Sequence, residues 1–141
     1  MYWIRFLLLF GLLLPAASFA QAGACKSYEP AVVTLEGKLV RKTFPGPPNY
    51  ADIRKGDRPE TYWLLLLTKP ICVNEDQSQP DLNPAVKSAR EIQLVMNADD
   101  FRRYQSLLGK NVIATGSLFG AETGHHHTPV LLTVKKLDTS H

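Results

Sequence analysis

The sequence predicts a mainly β domain: a five-stranded barrel with one helix between strands three and four. Three observations predict it. Short apolar stretches alternate with polar residues at five places, the pattern of half-buried strands. Only one segment, Asn97 to Leu108, carries a full set of helix signals. The resulting order is three strands, a helix, then two strands, and a sheet this short escapes its edge problem by closing on itself.

Ala31 to Phe44 reads as a long first strand, with Val33, Leu35 and Leu39 on one face and Thr34, Glu36 and Lys38 on the other. Gly37 marks a bend of the kind that turns a barrel corner. Pro45 to Pro59 is rich in proline and glycine and reads as a long ordered loop. Thr61 to Leu67 is apolar on both faces, as a central strand would be, and Pro70 limits it, with Ile71 to Val73 a short continuation. Asn74 to Pro84 is a polar surface excursion, and Ala85 to Ala89 reads as a short helical turn. In Glu91 to Met96, Ile92, Leu94 and Met96 alternate with Glu91, Gln93 and Val95, a third strand with one solvent face.

The helix starts at Asn97, a good N-cap, and Asp99 and Asp100 place negative charge against the positive end of the helix dipole. Phe101, Tyr104, Leu107 and Leu108 form its apolar stripe, and Gly109 ends it. Asn111 to Phe119 is the fourth strand, Gly120 to Gly124 a turn, and Thr128 to Leu137 the fifth. This is the plan of the OB-fold, whose helix plugs one end of a five-stranded barrel.

The first twenty residues read as an export signal. Arg5 precedes the apolar run Phe6 to Leu14, Pro15 breaks it, and Ala16 to Ala20 is small enough for a signal peptidase. Cleavage after Ala20 or after Ala22 fits the small-x-small rule. The run is short for a membrane anchor. A periplasmic or secreted domain of residues 21–141 follows, which meets the membrane only during export and is expected to be a monomer. Cys25 preceded by Ala22, Gly23 and Ala24 also admits a lipoprotein reading, but no large aliphatic residue stands where a lipidation signal needs one. A Cys25–Cys72 disulfide is the better account of two cysteines in an oxidising compartment.

Sixteen Lys and Arg stand against thirteen Asp and Glu, a net charge of +3. Loss of Arg5 lowers it further, which with export argues against a nucleic-acid partner. No nucleophile elbow, His-Glu-x-x-His helix, phosphate loop or dinucleotide fingerprint occurs, so an enzyme is not expected.

The pieces Thr34-Leu35-Glu36-Gly37, Phe44-Pro45-Gly46-Pro47-Pro48-Asn49-Tyr50, Lys69-Pro70-Ile71-Cys72-Val73 and Gly116-Ser117-Leu118-Phe119 resemble a family of small exported bacterial proteins of unknown function. The run from Thr123 to Leu132, T-G-H-H-H-T-P-V-L-L, is the most specific part of that resemblance. More distantly, the topology resembles bacterial exported OB-fold proteins. The resemblance implies fold and compartment and brings no catalytic residues.

Two constellations are candidates for function. His125, His126 and His127 sit in the turn before the last strand. In extended geometry His125 and His127 share a face, a start for a Zn or Cu site that needs a further ligand from Glu122, Asp99, Asp100 or His141. Otherwise no cofactor is expected. The long loop and its flanking strands mix aromatic and cationic groups: Phe44, Tyr50, Arg54, Lys55, Arg58, Tyr62 and Trp63. In an OB-fold this loop and the His turn flank one ligand face, which predicts a binding module for an envelope glycan, peptide or protein, with Phe44, Tyr50, Arg54, Arg58, Trp63 and His126 as contacts. For Tyr62 and Trp63, core or edge packing is the competing expectation. The rival functions are a metal-binding protein and an inhibitor or immunity-type partner of a secreted enzyme.

Overall fold

The computed structural model describes residues 23–140. The expected signal peptide, both cleavage points and His141 lie outside the described residues.

Five strands close into a barrel in the order β1-β2-β3-β5-β4. They are β1 (Val33–Pro45), β2 (Pro59–Val73), β3 (Val86–Val95), β4 (Asn111–Gly120) and β5 (Val130–Thr139), with helix α1 (Ala98–Tyr104) between β3 and β4. All neighbours are antiparallel except β3 and β5, which run parallel over Gln93–Val95 against Leu131–Thr133. The barrel closes because β1 is long enough to serve two partners. Its first half pairs with β4 and its second with β2, and Gly37 belongs to both ladders. A side chain at Gly37 would collide with the Leu66 carbonyl oxygen, so the expected bend is a place of close backbone approach.

The interior is filled by the inward-facing positions of all five strands, among them Leu35, Leu39, Leu65, Ile92, Val112, Leu118 and Leu132. Helix α1 presents Phe101 and Tyr104 to this core. Asn97 caps it by accepting from the Asp100 amide at 2.9 Å. The expected single helix to Leu108 ends at Tyr104 and tightens into a 3₁₀ turn, Gln105–Leu107. Gly109 then takes a φ of 81° and donates its N–H to the Leu39 carbonyl, which returns the chain to the barrel.

Two local expectations are corrected. Ala85 to Ala89 is no helical turn: Val86 pairs with Val73 and Ala89 with Ile71, so β3 already runs there. Burial of Ala89 against the core overrides its weak local preference. Likewise β2 does not stop before Pro70. A register shift between Leu66 and Ile71 carries the strand past the residue that has no amide to donate.

Cys25 and Cys72 are joined by a disulfide. The N-terminal segment beside it pairs with the end of β2, the Lys26 amide donating to the Cys72 carbonyl and the Asn74 amide to that of Lys26. With its sulfur in this bridge, Cys25 is not available for lipidation. The disulfide is compatible with an extracellular or periplasmic location.

Candidate functional site

The long loop is ordered by one carboxylate. Asp57 is 4% exposed and accepts four hydrogen bonds, from the Asn49 amide and side chain at 2.9 and 3.1 Å and from the Ala51 and Asp52 amides at 2.8 and 2.9 Å. These donors, led by the Ala51 and Asp52 amides, hold its carboxyl below the usual range. Asp52 caps a 3₁₀ turn at Ile53–Lys55, and Gly56 ends it at φ 104°. The long ordered loop therefore holds one short helical turn.

The sign of the pH dependence follows. A folded-state pKa below the unfolded value gives stability that is fully present above the ordinary aspartate value of about 3.9 and is lost as the pH falls through the lowered one. In an acid titration followed by NMR, the amides of Asn49, Ala51 and Asp52 are expected to stay dispersed at about pH 4 and collapse only in stronger acid. In Asp57→Ala they are expected to be averaged already at neutral pH. Dispersed loop amides in that variant would show that the prolines alone shape the loop.

Tyr50 has a φ of 56°, left-handed backbone that a bulky residue rarely adopts. Its amide donates to the Gly46 carbonyl, and the conformation aims its ring at the His turn. Gly124 lies directly against that ring, where an added Cβ would meet it at 3.0 Å. The Tyr50 hydroxyl is 3.3 Å from His125 Nε2. Residues near 50 and near 126 thus meet at one mouth of the barrel.

His125 is the hub of the mouth. Its Nδ1 lies 2.9 Å from a Glu60 carboxylate oxygen, which also accepts from the Tyr62 hydroxyl at 2.8 Å. An ionised carboxylate only accepts, so His125 donates to Glu60 through Nδ1. The hydrogen bond from His125 keeps Glu60 below the usual carboxylate range. Burial, with Glu60 alongside, pushes Tyr62 up to about 12. His127 stacks on Phe44, centroids 4.3 Å apart, and burial pushes its pKa down. His126 turns the other way, accepting at Nδ1 from the Glu122 amide and meeting Phe119 edge-on.

Gln93 fixes the turn. Its side-chain N–H donates to the His125 carbonyl at 2.9 Å, its side-chain oxygen accepts from the His127 amide at 2.8 Å, and its own amide donates to the Thr128 hydroxyl at 3.0 Å. In register it stands between Leu64 on β2 and Leu131 on β5, and all three are buried although they face out of the barrel. The His turn folds over this row as a second layer. The solvent face expected for Gln93 is therefore covered.

Below the mouth the strands part. Pairing of β2 with β3 ends at Leu64 and Gln93, while β2 stays paired with β1 as far as Pro59 and β3 with β5 as far as Val95. Residues 61–63 and 94–95 thus have a neighbouring strand on one side only. A pocket of about 260 Å³ fills the gap, lined by Tyr62, Gln93, Leu94, Val95, Met96, Phe101, His125 and His126.

Of the expected contact residues, Phe44, Tyr50 and His126 gather here, joined by Tyr62, for which core or edge packing is the competing expectation. Trp63 does not: it faces inward, 9% exposed, with Phe101 edge-on at 5.2 Å. Its neighbours in β2 alternate, so if Tyr62 faces the mouth Trp63 must face the core. Arg54 folds back onto Asp52, and the exposed Arg58 has no side-chain partner among the described residues. Neither arginine is among the residues that line the pocket. His125 and His127 flank Tyr62, but both ring nitrogens of His125 have protein partners, and among the described residues no three His, Cys, Asp or Glu side chains converge to hold a metal. Asp57, Glu60 and Gln93 were not singled out by sequence. Asp57 alone left a signal, following a glycine within a loop too long to order itself.

No curated protein and no solved structure matches the chain. A family described as a domain of unknown function (DUF4431) matches residues 91–138, a stretch that holds Gln93 and the His turn and leaves the long loop outside.

Proposed function

We propose that this protein is a non-enzymatic periplasmic accessory module that binds an extended peptide segment of an envelope protein at the barrel mouth. One observation carries the reading: the long loop and the His turn, joined at Tyr50 and His125, stand over the opening where β2 and β3 part. Half-paired strands on both sides of an apolar pocket suit an extended backbone, which adds hydrogen bonds along its length while one apolar side chain enters beside Leu94, Met96 and Phe101. Tyr50, Tyr62 and the histidines supply aromatic faces with polar tips at the rim.

Val95 is 38% exposed inside this opening and holds β5 through its backbone, so Val95→Glu closes the slot with a charge and spares the fold. Capture of a polypeptide from envelope extract is expected to fall at least about tenfold in Val95→Glu and in Tyr50→Ala, the loss of one well-placed contact. Unchanged capture by both variants would place recognition elsewhere. Captured material that resists protease and yields to glycosidases would replace the peptide with a glycan.

A further inference from the structure

Outside the mouth, the strongest feature is a basic concavity at the far end of β2. A hollow of about 410 Å³ beside the disulfide is lined by Lys26, Lys69, Ile71 and Lys87, with Gly23 and Ala24 at its lip. An adjoining hollow of about 240 Å³ shares Lys26, Lys69 and Ile71 and is floored by Leu35 and Leu67, with Glu36 also on its wall. Among the described residues none of these three lysines forms an ion pair, whereas Lys42 is bound to Glu91 and Lys136 to Asp138. Three like charges around one hollow repel each other, and an anion seated among them relieves that repulsion. The apolar strip beside them is suited to the first carbons of an acyl chain.

The chain itself indicates which anion. The residues preceding Gly23 carry the hydrophobic run of the expected export signal, so export delivers the protein with this end nearest the bilayer. We propose that this end of the barrel rests on anionic phospholipid, with headgroup phosphates among Lys26, Lys69 and Lys87. The contact outlasts export. Because β2 runs from this end to the long loop, the mouth then faces away from the membrane.

Vesicle flotation of the purified protein, its N-terminus read by mass spectrometry, tests the proposal independently of the mouth. Binding to mixed phosphatidylcholine–phosphatidylglycerol vesicles is expected to fall about fivefold per lysine removed, roughly a hundredfold in K26Q/K69Q/K87Q, and to weaken with salt. The equally charged control K38Q/K110Q/K135Q is expected to keep most of it. Equal binding to pure phosphatidylcholine, an equal loss in the control, or full displacement by inorganic phosphate as a soluble anion would each overturn the proposal. Val95→Glu is expected to bind vesicles normally, so failure of the peptide reading leaves this result untouched.

Discussion

Replacing both Cys25 and Cys72 with serine is expected to lower the unfolding free energy by about 4 kcal/mol, the loop-entropy value for their separation of 47 residues. A domain of this size has roughly 5–15 kcal/mol in total, so the loss removes a large share of it. The size of the effect comes from what the bridge encloses. The loop contains β1, the long loop and nearly all of β2, the hairpin that carries the Tyr50 side of the mouth. Two backbone hydrogen bonds at Lys26 still hold the N-terminal segment to β2 without the bridge, but they form only after folding and restrain nothing in the unfolded chain. Urea unfolding of the two forms measures the difference. A loss below about 1 kcal/mol would mean that the unfolded chain is already compact around this hairpin.

The second large effect is expected from Gln93→Leu, which keeps nearly the same shape and removes every polar contact of the side chain. The His125 carbonyl and His127 amide lose the partners that hold them against the barrel. A partly buried group left without a partner costs about 1–3 kcal/mol, so two such losses release the turn by roughly 3 kcal/mol. Hydrogen exchange at the His127 amide is expected to quicken by about a hundredfold while exchange in Leu65 and Ile92 is little changed, since local opening does not require global unfolding. The Phe44–His127 stack is the competing anchor. If the His127 amide stays protected in Gln93→Leu, stacking holds the turn and the amide side chain does not.

Much of the barrel was legible because its signals are local. The alternation of Val33, Leu35 and Leu39, the cap at Asn97 and the glycine at 109 each state their own conformation. The meeting of the long loop with the His turn followed from topology alone, since the OB plan brings those two connections to one end. What stayed hidden depends on partners distant in sequence. Gln93 sits at an outward strand position and looks solvent-facing until residues 32 and more further on fold over it. Glu60 reads as an ordinary strand-end charge until His125 arrives. Trp63 and Tyr62 are adjacent aromatics, and only the register against β1 tells which one enters the core. Ala85 to Ala89 shows the reverse: a local preference overruled by the ladder it joins.

The grip of Gln93 on the His turn is taken through main-chain atoms at 125 and 127, and its side chain hydrogen-bonds no imidazole. Attachment and display are therefore separate properties of this segment. The path of the turn belongs to Gln93 and Thr128, and the chemistry shown to the outside belongs to whichever side chains ride on it. Such a division lets a lineage exchange what it recognises, one exposed position at a time, over a frame that need not be rebuilt.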